Sequence, residues 1–326
     1  MSAPVNPFLF ALLRALSDGR FHSGQLLAQN FNLSRSSICN IVAEATELGV
    51  RIQAVQGRGY RMPVPPIWLD QHQIIQRLAD TPFNVQCVEV LASTNASLMQ
   101  EALDGAPDGR VLCTELQLAG RGRRGRGWNS ALGGSLMFSV LCRFDAGLSV
   151  LSGLSLAAGL AVVRAINRYS AHGASLKWPN DVLVNHRKLA GILVEVQGDM
   201  NGPAFAVVGI GLNVHLPANM RENIDQAVID FDEMGVTIDR NQLLVDCLHE
   251  FHDVLKAFRG QGFVALREAW MALDAYAGRP VKLLRSGQPE VTGIAAGVDG
   301  NGALLVRDAD GTRAYHGGEI SLRLVR

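Results

Sequence analysis

The nine residues from Gly120 to Trp128, GRGRRGRGW, hold four arginines and four glycines. Glycine lets backbone N–H groups approach an anion, and arginine clamps carboxylate or phosphate. The segment also spells G-x-G-x-x-G, but a dinucleotide site needs a strand before it, a helix after it and an acidic residue about 20 positions on. Upstream, RVLCTELQLA alternates as a strand; downstream, WNSALGGSLMFSVLC carries two glycines and then a second strand-like run. The segment therefore connects strand to strand. Two readings remain from the residues alone, an anion clamp or a solvated basic loop.

Lysine usage marks a second place. Of thirty cationic side chains only four are lysines, Lys177, Lys188, Lys256 and Lys282, and the first two fall within LKWPNDVLVNHRKLAGILVE. A compact ammonium suits a point between oxygens where a planar guanidinium does not fit. Trp178-Pro179 excludes a helix after Lys177, so a tight turn and a returning hairpin can bring Lys177, Asp181 and Lys188 to one pocket. The plainer alternatives are a turn cap for Asp181 and chance placement of the lysines. His249 and His252 stand three apart in HEFH, without the spacing of a zinc helix, and read as helix-surface or interface residues.

The elements that must carry these residues fall into three units. Over 1–63, FLFALLRAL is a helix ended by Asp18-Gly19, SGQLLAQNF a second opened by Ser23, and SRSSICNIVAEATELG a third capped by Ser34 and stopped by Gly49. VRIQAVQGRGYRM then gives two short strands around Gly57-Arg58-Gly59, which completes a winged helix-turn-helix pattern. Ser34, Arg35, Ser36 and Ser37 stand at the tip of a recognition helix and Arg58 on the wing, near phosphates if the unit binds DNA. A dimerisation or docking module is the other reading of such a unit. Lys and Arg outnumber Asp and Glu six to three between Phe8 and Met62, with one cation near the third helix's start.

VPPIWLD is the linker. From 67 to 274, strands joined by short turns and helices grouped apart predict an α+β unit with a mixed sheet, including a helix after Ser93-Thr94-Asn95 and two helices from about Arg240. From 278 to 326, PVKLLRS, EVTGIAAGV, GALLVRD and TRAYHGG are short strands separated by Asp-Gly turns, the pattern of a small β barrel.

The whole chain has 326 residues, zero formal net charge, 48% hydrophobic and 18% charged residues, so any nucleic-acid contact must be local rather than drawn by a global field. The five cysteines are widely spaced and never C-x-x-C, which fits reduced thiols in a cytoplasm. FLFALLRAL is a poor signal peptide, and the uncharged run Ala146–Val163 reads as a buried core helix rather than a membrane span.

In this order, and after a winged helix, STN, GRGRRGRGW, KWPND, RKLAGILVE, GIGLNV and a barrel ending in GGEISLR resemble the bifunctional biotin protein ligases that also act as biotin operon repressors. The resemblance covers essentially the full chain and gives the C-terminal barrel an SH3-like form. It implies a two-step ligase that uses ATP, Mg²⁺ and biotin to form biotinyl-5′-AMP and passes the biotinyl group to a lysine of the biotin carboxyl carrier protein of acetyl-CoA carboxylase. It implies a biotin site of Ser93, Thr94, Asn95, Gln117, Arg121, Gly122, Arg123, Lys188, Gly191, Gly209 and Gly211. Nucleotide contacts would come from Arg121, Arg123, Trp128, Asn180, Lys188 and Asn213, and catalysis from Lys188, Asp181, Arg123 and Lys177. Asp181 would orient Mg²⁺ or the incoming lysine amine, and the segment from Leu216 to Gly235 receives no individual contact. Homodimers forming on adenylate binding and operator DNA are the implied regulatory partners, with no membrane. A ligase whose winged domain does not repress, and a biotin-sensing transcription factor without catalysis, are the competing functions.

Overall fold

The computed structural model describes residues 5–169, 173–285, 289–317 and 320–325, so Gly318-Glu319 of the GGEISLR motif lie outside the described residues. The N-terminal unit holds α1 (Leu9–Ala15), α2 (Gly24–Asn30) and α3 (Arg35–Glu47), then the wing strands β1 (Gln53–Val55) and β2 (Gly59–Arg61). Ser23 and Ser34 cap α2 and α3, each accepting a backbone N–H from the first turn. His22 exchanges two backbone hydrogen bonds with Tyr60 and joins the wing to the turn before α2. Only glycine fits at 59: φ is +97°, and a Cβ would lie 1.9 Å from the His22 carbonyl oxygen.

The linker leads to α4 (Gln71–Arg77), β3 (Asn84–Leu91), α5 (Thr94–Leu103), β4 (Arg110–Gln117) and β5 (Ser135–Phe144). Then come α6 (Leu154–Ile166), β6 (Ser175–Lys177), β7 (Asp181–Val184), β8 (Arg187–Gly198), β9 (Ala204–Asn213), α7 (Ala218–Arg221), α8 (Arg240–Gln261) and α9 (Arg267–Met271). The sheet runs β3-β4-β5-β9-β8-β7-β6, with β3 and β4 parallel and every other neighbouring pair antiparallel. This is the mixed sheet expected. Both faces of β9 are buried. One face packs with α6 and α8 in the main core, and the other meets Leu98 and Ala102 of α5.

The apolar stretch Leu148–Ile166 has the length and hydropathy of a membrane span, yet most of it is buried inside the protein. α6 is apolar on nearly every side because nearly every side meets protein. The C-terminal unit is an antiparallel sheet of β10 (Pro280–Arg285), β11 (Val291–Val298), β12 (Leu304–Asp308), β13 (Gly311–Tyr315) and β14 (Ile320–Leu324), ordered β13-β12-β11-β10-β14.

The units share packing. Leu116 of β4 and Leu132, beyond the arginine loop, are buried in the core of the winged unit, and Leu132 N–H donates to the Leu48 carbonyl at the end of α3. Arg240, buried at the start of α8, donates to the carbonyls of Ile67 and Ser135 and to Glu115 Oε2, while Glu115 Oε1 accepts from Leu69 N–H. That buried ion pair ties the linker to β4 and β5.

Candidate active site

The turn after β6 puts Lys177 and Asp181 opposite one another in the β6–β7 pairing, and β8 returns with Lys188. Asp181 Oδ2 lies 3.2 Å from Lys177 Nζ and its Oδ1 lies 2.7 Å from Lys188 Nζ. The pocket predicted from lysine usage is thus formed. Burial alone would raise the Asp181 carboxyl, but the ammoniums of Lys188 and Lys177 outweigh it and hold the group below its ordinary value. Burial lowers Lys177, with Asp181 opposing the shift and Arg323 and Lys188 adding to it. Two cations and one buried anion leave a net positive floor.

Above that floor lies the arginine loop, in a cavity of about 430 Å³. Arg123 donates to Asn180 Oδ1 at 3.2 Å, and Asn180 Nδ2 donates to the Ile192 carbonyl, so the loop is tied to β8 through Asn180. Burial lowers the Arg123 guanidinium, Asp181 opposes the shift and Arg124 adds to it. Arg121 pairs with Glu195 at 3.0 Å. Arg124 takes a left-handed φ of 61° and donates to Ser321 Oγ on β14. Gly122 lines the same cavity.

At the other end, Ser93 caps α5, and Thr94 donates from its backbone N–H and its hydroxyl to Gln117 Oε1. Ser139 Oγ donates to Thr94 Oγ1 or Asn95 Oδ1, at 2.7 and 2.6 Å, and Asn95 Nδ2 donates to Glu195 Oε2 and the Leu193 carbonyl. These groups form a fixed polar lining. The glycines set its depth: a Cβ on Gly209 would sit 2.0 Å from Asn95 Oδ1, and one on Gly211 would sit 2.6 Å from the Trp128 ring. Gly191 lies beneath Lys188 Cε and the Trp128 ring. Trp128 also brings a buried Nε1–H that has no hydrogen-bond partner among the described residues, and Lys188 Nζ stands 5.7 Å from its ring centroid.

Asn213 lines the cavity with its amide committed, donating to the carbonyls of Lys188 and Ile229. Lys188 in turn exchanges backbone hydrogen bonds with Ala227 and Ile229. The segment Asn223–Gln226, left unassigned from sequence, therefore forms a wall hung on the lysine strand. Ile320, Ser321 and Arg323 of the C-terminal unit also line the cavity, and sequence reading missed them along with Ser139 and Glu195. Their one sequence signal is the final GGEISLR run; Glu195 closes the RKLAGILVE run without a role of its own, and Ser139 has no signal.

Each Asp181 oxygen faces one ammonium group and keeps a further lone pair. Among the described residues no group of three or more His, Cys, Asp or Glu gathers for a metal, but a Mg²⁺ that arrives on substrate phosphates needs one or two carboxylates rather than a cage, and Asp181 fits that part. In the winged unit, Ser34 Oγ is spent on Ser36, Ser37 and the Ser37 N–H, while Arg35 is exposed at the tip of α3. Arg58 is exposed on the wing over the Phe21 ring, 4.1 Å from its centroid. Arg35 and Arg58 are thus outward charges of that unit, as are Arg20 and Arg51.

Residues 87–213 match the biotin/lipoate A/B protein ligase family, 276–323 the biotin protein ligase C-terminal domain, and 9–61 a helix-turn-helix domain. The chain is 36% identical to the bifunctional ligase/repressor BirA of Salmonella typhimurium over 96% of each chain. It is 34% identical to the biotin--[acetyl-CoA-carboxylase] ligase of Mycobacterium tuberculosis, over 78% of this chain and 96% of that one. Among solved structures, a biotin protein ligase from Aquifex aeolicus in complex with biotin and ATP superposes with a TM-score of 0.63. That pair is 30% identical, covering 74% of this chain and 99% of the other.

Proposed function

The chain belongs to the biotin protein ligase family and carries a helix-turn-helix unit before its catalytic domain; from that premise we propose how its own residues run the reaction and what the N-terminal unit does. It is an ATP-dependent biotin ligase. In the first step a biotin carboxylate oxygen bonds to the α-phosphorus of ATP as the bond to pyrophosphate breaks, giving biotinyl-5′-AMP. In the second, a lysine amine of a biotin carboxyl carrier protein attacks the acyl carbon, AMP leaves and the amine proton passes to solvent.

The first step brings two anions together, so preorganised cations decide its rate. The observation that carries the assignment is the buried Lys177–Asp181–Lys188 cluster beneath an arginine loop. Lys188 contacts the reacting carboxylate and phosphate oxygens; Arg121 and Arg123 close over them; Asp181 and Lys177 hold Lys188 in place. Thr94, Gln117 and Asn95 offer donors and acceptors to the biotin head, and Gly191, Gly209 and Gly211 admit it between β8 and β9. Trp128 lies beside the adenine. Mg²⁺ bound with ATP would neutralise phosphate charge, and Asp181 is the carboxylate in the pocket that would hold it or orient the incoming lysine amine. Labelled biotin appearing on a carrier domain in the presence of ATP is the expected result, and its absence would refute the ligase.

The winged unit serves operator DNA, with Arg35 and Arg58 on phosphates, and adenylate-loaded chains pair to present two such units to a palindromic site. The five free thiols fit a reducing cytoplasm. Footprinting on the operator with and without biotin plus ATP tests the regulator: protection that depends on both supports repression. A ligase whose winged unit ignores DNA is the outcome that overturns it.

A further inference from the structure

Glu195 has no part in the chemistry described above, yet one of its oxygens holds two of that chemistry's residues. Oε2 accepts from Asn95 Nδ2 at 2.9 Å and from Arg121 at 3.0 Å. Asn95 is otherwise fixed by Ser139 and the Leu193 carbonyl, beneath Gly209. Arg121 is different. Among the described residues its guanidinium has no other hydrogen-bond partner, and its side chain is 46% exposed against 28% for Glu195. A carboxylate therefore already occupies the arginine that an anionic ligand would use.

We propose that Glu195 is a positioning residue that latches the arginine loop through Arg121 and yields it to an incoming ligand's carboxylate or phosphate, while keeping its hold on Asn95. This rests on the reading of the loop as an anion clamp. An exposed ion pair is weak enough to be exchanged, and an incoming anion further neutralised by Lys188 and Arg123 competes well for the same guanidinium. The charge of Glu195 thus works against ligand binding, whereas its capacity to accept a hydrogen bond works for it. One side chain carries two opposed effects that substitution can separate.

Glu195→Gln keeps an acceptor for Asn95 and removes the charge. With the full chain free of ligand, trypsin cleavage mapped to Arg121–Arg126 should be about threefold faster or more in this variant, the scale of an exposed pair. Its biotin KM in ATP–pyrophosphate exchange should fall by about the same factor at low ionic strength and converge on the unsubstituted protein at high salt, with kcat little changed. Glu195→Ala should speed cleavage equally but raise the biotin KM, because Asn95 loses its acceptor. Unchanged loop cleavage in Glu195→Gln, or a biotin KM that stays level or rises, would overturn the latch. Failure of the unsubstituted chain to exchange pyrophosphate would count against the ligase reading instead, and the cleavage arm reports on the latch without it.

Discussion

The Lys188 side chain reaches the pocket over Gly191 and beside Trp128, so little of the core depends on it. Lys188→Ala should slow pyrophosphate exchange by on the order of 10²–10³, as loss of a preorganised partner to developing charge does, and should also melt lower, because it takes one of its ammonium partners from buried Asp181. Exchange near the normal rate would remove Lys188 from the mechanism. Asp181 carries a pH signature. Its folded carboxyl lies below the ordinary value, so its contribution to stability is complete above that value and is lost as pH falls through the lowered one. Asp181→Asn should melt lower near neutrality, and the gap to the unsubstituted protein should begin to narrow below about pH 3.9, the ordinary carboxyl value, and close only once pH has fallen through the lowered folded value, where both carry a neutral group at 181. A gap independent of pH would show that charge is not what Asp181 supplies. At this scale the lysines were legible because rarity and a Trp-Pro bend marked them. Ser139 and Arg323 were not, because each is an ordinary residue brought to the pocket from another part of the chain, and Glu195 was not, because nothing in the RKLAGILVE run shows that strand pairing turns its carboxylate to Asn95 and Arg121.

The helices announce themselves through their caps: Ser23, Ser34 and Ser93 each begin one, as a hydroxyl that accepts an otherwise unpaired first-turn N–H must. Short α4 and edge strand β3 have no clear sequence mark, the first because it buries only Ile74 and so shows no apolar stripe. The buried pair between Arg240 on α8 and Glu115 on β4 had no local signal either, since its partners are 125 residues apart. Breaking one side of such a pair leaves a stranded charge. Arg240→Met should therefore destabilise the protein by about 3–5 kcal/mol. Adding Glu115→Gln, which still accepts from Leu69 N–H, should recover part of that loss in urea unfolding. No recovery in the double variant would mean that the carbonyl bonds to Ile67 and Ser135, rather than the charge, carry the joint.

Across the whole molecule, three units that read as separate in sequence prove to be interlocked, because a boundary of composition says nothing about which apolar side chains cross it. Leu116 and Leu132 complete the winged core from the catalytic side. Deleting 1–63 should expose both and lower the melting temperature of the remainder, and polar replacement of the pair should restore solubility to the truncated chain; a truncated chain that melts as the full one does would show the seam to be incidental. Seen as a history rather than an energy, the seam imposes an order of events. A descendant of this chain could not become a stand-alone ligase by a single deletion. Substitutions that make positions 116 and 132 tolerable to water would have to arrive before the winged unit is lost or together with it, so polar residues there are the trace such a loss would leave.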